Sequence, residues 1–163
     1  MRLQLTLALV FALVAAGAAA QEADAVLGLW LTAEAEDGRA HVEVVKEGNR
    51  YAGKIVWLEK PTYPPDDDGG MAGKERVDRE NPDPAMHSRP IIGLRIFEGF
   101  EYAGHGLWRN GTIYDPANGK TYSCKIRLEK DGSLKVRGFI GISLLGRNEI
   151  WTRVAGAATT TGS

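Results

Sequence analysis

Hydrophobic and polar residues alternate along most of this chain in short runs, and Gly, Asn and Asp interrupt those runs at intervals of roughly ten residues. Helical periodicity is not sustained anywhere beyond the N-terminal segment. Strands are expected over residues 27–32, 40–46, 51–58, 91–97, 107–114, 120–128, 133–140 and 146–154, with a short extra strand over 100–103. The cleanest alternation lies between Lys120 and Leu128. There Tyr122, Cys124, Ile126 and Leu128 face one way, and Thr121, Ser123, Lys125 and Arg127 the other, as one buried and one solvated face require. By the same period Tyr51, Gly53, Ile55 and Trp57 are expected to share a face. About eight strands in succession with short connections predict an all-β fold, an antiparallel up-and-down barrel or a strongly bent sheet.

One connection is long. Between Glu59 and Pro90 the chain carries six of its seven prolines, the run Asp66-Asp67-Asp68-Gly69-Gly70 and a charged stretch from Lys74 to Glu80. Neither a central strand nor a long helix fits that composition. Asp83 before Pro84 can cap a single helical turn through Ala85, Met86 and His87. A loop of this length in a compact domain is a candidate lid over whatever the strands enclose. Its charged first part, Pro61 to Lys74, is the part expected to be mobile.

The two ends of the chain read as separate from the fold. Arg2, a largely apolar run from Leu3 to Val14 and small residues ending Ala18-Ala19-Ala20 form a secretory signal, residues 1–20. Cleavage is expected after Ala20, with Ala23 and Ala25 as later alternatives. The apolar run is too short for a retained membrane span, which needs about 20 residues. A single domain over residues 21–154 follows, and the tail 155–163, without a large apolar residue, is expected to be disordered. Export places the mature protein in the periplasm or outside the cell. After cleavage 19 Lys and Arg stand against 21 Asp and Glu, a balance that recommends neither nucleic acid nor an anionic membrane as partner. The lone Cys124 forms no internal disulfide, so the core alone must hold the fold.

Candidate chemistry thins out on inspection. Asp115 to Lys120 resembles a phosphate loop only in composition, because Gly119-Lys120-Thr121 runs into a strand and not into a helix N-terminus. Asp115, Pro116 and Asn118-Gly119 instead have the residues of a hairpin turn. Asp66 to Asp68 is contiguous, unlike the alternating acids of a calcium loop, and Val77 occupies the place of the terminal Glu. His41, His87 and His105 sit in separate elements at no ligand spacing, so no metal and no cofactor is implied. Cys124 on an apolar face is a small buried hydrophobe and not a nucleophile. No nucleophile elbow, paired-histidine helix or P-loop is present, so catalytic residues are not assigned and an enzyme is the least favoured class.

The aromatic residues carry more information. Trp30, Trp57, Trp108 and Trp151 all fall in expected strands. Gly28-Leu29-Trp30 opens the first strand and Trp151-Thr152-Arg153 closes the last, a pairing that resembles the lipocalin and calycin pattern. The resemblance implies that Arg153 stacks on Trp30 and closes one end of the barrel. Nearly the whole chain from Gly28 to Val154 also resembles an exported bacterial family of unknown function. The matching stretches are "GKIVWL" from Gly53, "DRENPDPAMHSRPIIGL" from Asp78, "WRNGTIYDPANGKTY" from Trp108, "VRGFIG" from Val136 and "GRNEIWTRV" from Gly146. This resemblance implies a lipocalin-like barrel outside the cytoplasm and carries no catalytic residues with it.

The function expected from these readings is binding of a small apolar or amphiphilic molecule inside the barrel. Trp57, Trp108, Tyr114 and Tyr122 are the expected lining, and Arg137 the cation for an acidic head group. The alternative is an envelope interaction or structural protein whose barrel is filled by its own side chains and whose function lies on an outer surface.

Overall fold

The alternation is realised as eight strands in a computed structural model that describes residues 17–18, 20–141 and 146–156. They are β1 (Gly28–Leu31), β2 (Ala40–Glu47), β3 (Arg50–Leu58), β4 (Arg95–Tyr102), β5 (Leu107–Asp115), β6 (Lys120–Leu128), β7 (Leu134–Phe139) and β8 (Arg147–Arg153). Each pairs antiparallel with the next, and β8 returns to β1, so the sheet closes into a barrel. The expected signal lies outside the described residues except for 17, 18 and 20, and the expected tail except for 155 and 156. Among the described residues no helix is long and apolar enough to cross a membrane.

Two departures from strict alternation have local causes. Residues 91–97 and 100–103 do not form separate strands. A turn closed by Leu94 N–H on the Ile91 carbonyl (3.1 Å) delays the strand to Arg95, and β4 then runs unbroken to Tyr102. It passes through Gly99 because that residue takes φ +78°, which lets β4 present two residues, Glu98 and Gly99, against the single Ala52 of β3 between the pairs Gly53–Phe97 and Tyr51–Phe100. In β3 the partner of His41 is Trp57 while that of Val42 is Ile55, so Val56 is an extra residue. A one-residue insertion reverses the parity beyond it. Ile55 stays buried, whereas Trp57 turns outward and stacks on His41 at 4.5 Å between ring centroids.

The barrel is filled from one end. Trp30, Trp108, Trp151, Phe97 and Phe100 are each at most 1% exposed. The rings of Phe97 and Phe100 meet edge to face at 5.2 Å, and Phe97 lies 6.1 Å from Trp151. A Cβ at Gly53 would fall 2.5 Å from the Phe97 ring and one at Gly111 2.4 Å from Phe100. These two wall positions have no side chain because the phenyl rings occupy that space.

The same end is sealed by the segment before β1. A short 3-10 turn, Asp24–Val26, lies across it. Trp30 Nε1 donates to the Val26 carbonyl (2.8 Å) and Trp108 Nε1 to that of Ala23 (3.1 Å). Arg153 stacks its guanidinium 4.2 Å from the Trp30 ring and donates to the carbonyls of Ala25 (2.6 Å) and Leu27 (2.9 Å). Tyr51 and Lys46 both donate to the Asp24 carboxylate at 2.7 Å.

At the opposite end the long connection between β3 and β4 forms a folded strap. Its first part, Pro61 to Lys74, is tied by Tyr63 N–H to the Lys74 carbonyl (2.9 Å) and Gly73 N–H to that of Tyr63 (3.1 Å). Tyr63 is buried, its hydroxyl bonds the Val77 carbonyl (2.9 Å), and Arg76 and Arg79 lie over its ring. The expected helical turn is present as Pro84–Met86, with the Asp83 carboxylate accepting from Ala85 N–H (3.0 Å).

Candidate functional site

The strap meets the barrel through one buried carboxylate. Asp78 is fully buried although it lies in the polar connection. It accepts from the Tyr114 hydroxyl (2.6 Å), Arg89 Nη2 (2.7 Å) and Asn81 Nδ2 (2.8 Å), and Asn81 Nδ2 also donates to the Tyr114 oxygen (3.1 Å). Its own backbone N–H bonds the Arg89 carbonyl (2.8 Å). Burial pushes the Asp78 carboxyl up, but these three donors outweigh it and hold the group below its ordinary value. Burial and the adjacent carboxylate push the Tyr114 phenol up to about 12, so it remains a donor across the neutral range.

Tyr114 reaches the strap because it sits on the outer wall. Its cross-strand partner is Thr121, and it shares a face with Thr112, whereas Ile113 and its partner Tyr122 point the other way. The hairpin from Asp115 to Lys120 that joins β5 to β6 closes as a turn: the Asp115 carboxylate accepts from Ala117 N–H (3.0 Å) and its carbonyl from Gly119 N–H (2.9 Å). Gly119 abuts the strap so closely that a Cβ there would fall 1.8 Å from the Glu80 carbonyl oxygen. Clasp and hairpin together hold the strap against β4, β5 and β6.

Between them lies a hollow of about 390 Å³. Asn81, Pro82 and Arg89 of the strap form one side, and the β4 segment Arg95 to Glu98 with Thr112, Tyr114 and Thr121 forms the other. Ile96 gives it an apolar patch. Its charges are balanced at short range. Arg89 pairs with Asp78, and Arg95 makes two bonds to Glu47 (2.6 and 2.8 Å). A second hollow of about 410 Å³ continues from it along the outer wall, sharing Arg95, Glu98 and Thr112 and adding Arg50, Tyr51 and Asn110.

The residues singled out from sequence do not converge. Tyr114 lines the hollow. Trp108 is fully buried at the sealed base, and Trp57 is 41% exposed on the outer face. Tyr122 is half-buried on the inner face, its hydroxyl accepting from Asn118 (3.2 Å). Arg137 lies on the outer face, where it pairs across the sheet with Lys125 and Asn148 and donates to Asn148 Oδ1 (2.8 Å). Trp30 and Arg153 are in stacking contact at the base. Cys124 is buried, and burial pushes its thiol up to about 12, so it is not a nucleophile near neutral pH. His87 Nε2 lies 2.8 Å from the Asn81 carbonyl, and His105 occupies the β4–β5 turn with φ +52°. Among the described residues no His, Cys, Asp and Glu side chains gather to hold a metal ion. The residue that sequence reasoning placed in a family motif without giving it a role is Asp78. Its signal was an acid inside a Pro-rich connection, and the partner that explains it is 36 positions away.

With the geometry in place, the chain can be set beside known proteins. Residues 28–153 match the family model described as "Uncharacterized protein conserved in bacteria (DUF2147)", and the chain belongs to that family. No curated protein matches it. Among solved structures it is similar to HP1028 from Helicobacter pylori, described as belonging to the lipocalin family. The identity is 20%, the TM-score 0.66, and the match covers 80% of this chain and 84% of that one. At that identity the likeness is one of fold: the barrel is lipocalin-like.

Proposed function

We propose, from membership of this bacterial family and from the geometry above, that the chain binds a small amphiphilic molecule outside the cytoplasm. The seat is the hollow between strap and barrel wall. The observation that carries this reading is the distribution of space. Five large aromatic side chains fill the sealed half of the barrel, whereas a hollow of about 390 Å³ lies open beneath the strap. That volume is in the range of small-molecule sites. An apolar patch at Ile96 suits a short hydrocarbon portion, and Asn81, Thr112, Thr121 and the Arg89 guanidinium offer hydrogen bonds to a head group. Because Arg89 and Arg95 already face carboxylates, the head group is polar and hydrogen-bonding and does not need multiple charges.

Native mass spectrometry of the protein purified from a bacterial envelope tests this reading. A copurifying small molecule is expected, and it should be lost when Thr121→Trp fills the hollow. A bare protein that also ignores added medium-chain fatty acids and monoacylglycerols would refute it. The alternative reading is an envelope interaction protein whose barrel is filled by its own side chains. Capture of one defined envelope protein, unaffected by Thr121→Trp, would favour that alternative.

A further inference from the structure

The near balance of charge over the whole chain conceals an uneven distribution. Between Lys120 and Arg153 stand 8 Lys and Arg against 3 Asp and Glu, whereas residues 21–119 carry 11 against 18. Neither β6 nor β7 contains an acid, and the single acid of β8, Glu149, shares the inner face with Trp151, whose Nε1 donates to it (3.1 Å). Register concentrates the cations further. Arg127 lies opposite Lys135 and Lys125 opposite Arg137, all four on the outer wall.

Cross-strand neighbours of like charge repel and cost stability. Elsewhere on the wall opposite charges meet: Glu43 faces Lys54 (3.1 Å), Glu47 takes Arg95 (2.6 Å) and Glu101 takes Arg50 (2.8 Å). Arg127 and Lys135 are exposed and make no ion pair among the described residues, and Arg137 donates to the uncharged Asn148 Oδ1 (2.8 Å). The acids nearest in sequence, Glu129 and Asp131, stand in the turn between β6 and β7, where Asp131 accepts from the Ser133 hydroxyl (2.7 Å). The four cations leave a backbone patch of about 5 Å by 7 Å, smaller than the Debye length of about 8 Å at physiological ionic strength, so an anionic plane meets them as a unit.

Apolar groups stand beside these cations. Phe139 follows Arg137 on the outward face, Ile140 beyond it is 70% exposed, and Ile150, opposite Lys135, is 48% exposed. From Gly138 to Gly146 the sequence has no charged residue. An acidic soluble partner engages cations alone, whereas a bilayer surface offers phosphates with hydrocarbon beneath them and takes both kinds of side chain.

We propose that the outer wall of β6 and β7 docks on an anionic phospholipid surface. Lys125, Arg127, Lys135 and Arg137 lie over the headgroup phosphates, and Phe139 and Ile140 reach the boundary with the hydrocarbon. The protein then lies on the membrane and does not span it. None of these residues lines either hollow, so the inference does not depend on the ligand reading.

The test is cosedimentation of the mature chain with vesicles of phosphatidylcholine, alone or with about one third phosphatidylglycerol. Saturable binding to the anionic vesicles only is expected, weakening steeply between about 0.05 and 0.5 M salt as the Debye length shrinks. Each cation over an anionic surface is worth about fivefold in partition, so Arg127→Gln combined with Lys135→Gln should lower binding about 25-fold. That variant removes a repulsive pair, so its melting temperature should not fall. Lys54→Gln combined with Lys74→Gln removes the same charge elsewhere and should leave binding within about twofold of wild type. Binding that ignores phosphatidylglycerol, that survives the Arg127 and Lys135 changes, or that falls equally in both double variants would overturn the proposal. Bare vesicles together with retention by an acidic soluble protein would also overturn it and assign this face to a protein partner.

Discussion

Replacing Tyr114 by Phe deletes one oxygen and leaves the ring in place. The lost group donates to a fully buried carboxylate over 2.6 Å and accepts from Asn81 over 3.1 Å. A hydrogen bond to a charged partner contributes about 1.5–3 kcal/mol, and Asp78 keeps its bonds from Arg89 and Asn81. The expected loss is therefore about 2 kcal/mol at pH 7, or a melting temperature lower by about 4–10 °C for a domain of this size. The acid side gives a second readout with a fixed sign. The Asp78 carboxyl is depressed when folded, so its contribution is complete above its ordinary value of 3.8 and is lost as pH falls through the lower folded value. Removing one of the donors that depress it should move the acid-unfolding midpoint upward. Urea and thermal unfolding of wild type and Tyr114→Phe between pH 3 and pH 7 measure both quantities. Tyr122→Phe is the control, because its hydroxyl accepts a hydrogen bond from the exposed Asn118 side chain at 3.2 Å and touches no buried charge among the described residues; a change within about 0.5 kcal/mol is expected there. If Tyr114→Phe is as mild as the control, Asp78 is not the clasp described above.

Gly119→Ala places a Cβ 1.8 Å from the Glu80 carbonyl at φ +68°, so the hairpin and strap must separate; limited proteolysis should show faster cutting between residues 59 and 90, with a melting temperature lower by several degrees. Trp30→Ala should cost about 3–5 kcal/mol in chemical denaturation because it empties the sealed end and strands Arg153, whereas Trp57→Ala, on the outer face, should cost about 1 kcal/mol or less. Cys124, with its thiol pushed up to about 12 by burial, should resist iodoacetamide at pH 8 in the native protein and react in guanidinium.

Features set by neighbours in sequence were legible before the structure. β6 alternates as written, the Asp115–Lys120 turn closes on its own Asp and Gly, and Asp83 caps the turn that follows it. What could not be read depended on groups far apart. Val56 becomes a bulge because of how β2 pairs with β3, and this single residue sends Trp57 from the inner face to the outer. Gly99 lies between the two strands expected from sequence and is instead the bulge that lets one strand continue, with Glu98 and Gly99 set against Ala52 of β3. The candidate lining was drawn from aromatic type, which says nothing about parity after a bulge. Trp57 and Tyr114 therefore ended outside, and Trp108 in the sealed base. The hollow itself arises where the strap crosses three strands, and its organiser, Asp78, shows its role only once Tyr114, Asn81 and Arg89 surround it.

Ligand is proposed to sit beneath the strap and not within the barrel. Two-dimensional amide NMR of the mature chain, titrated with a medium-chain fatty acid and then with its monoacylglycerol, tests it most directly. Saturable shifts confined to Asn81, Arg89, Ile96, Thr112, Tyr114 and Thr121 are expected, abolished by Thr121→Trp. Shifts centred instead on inward residues such as Ile55, Tyr122 and Cys124, with the strap unchanged, would contradict it.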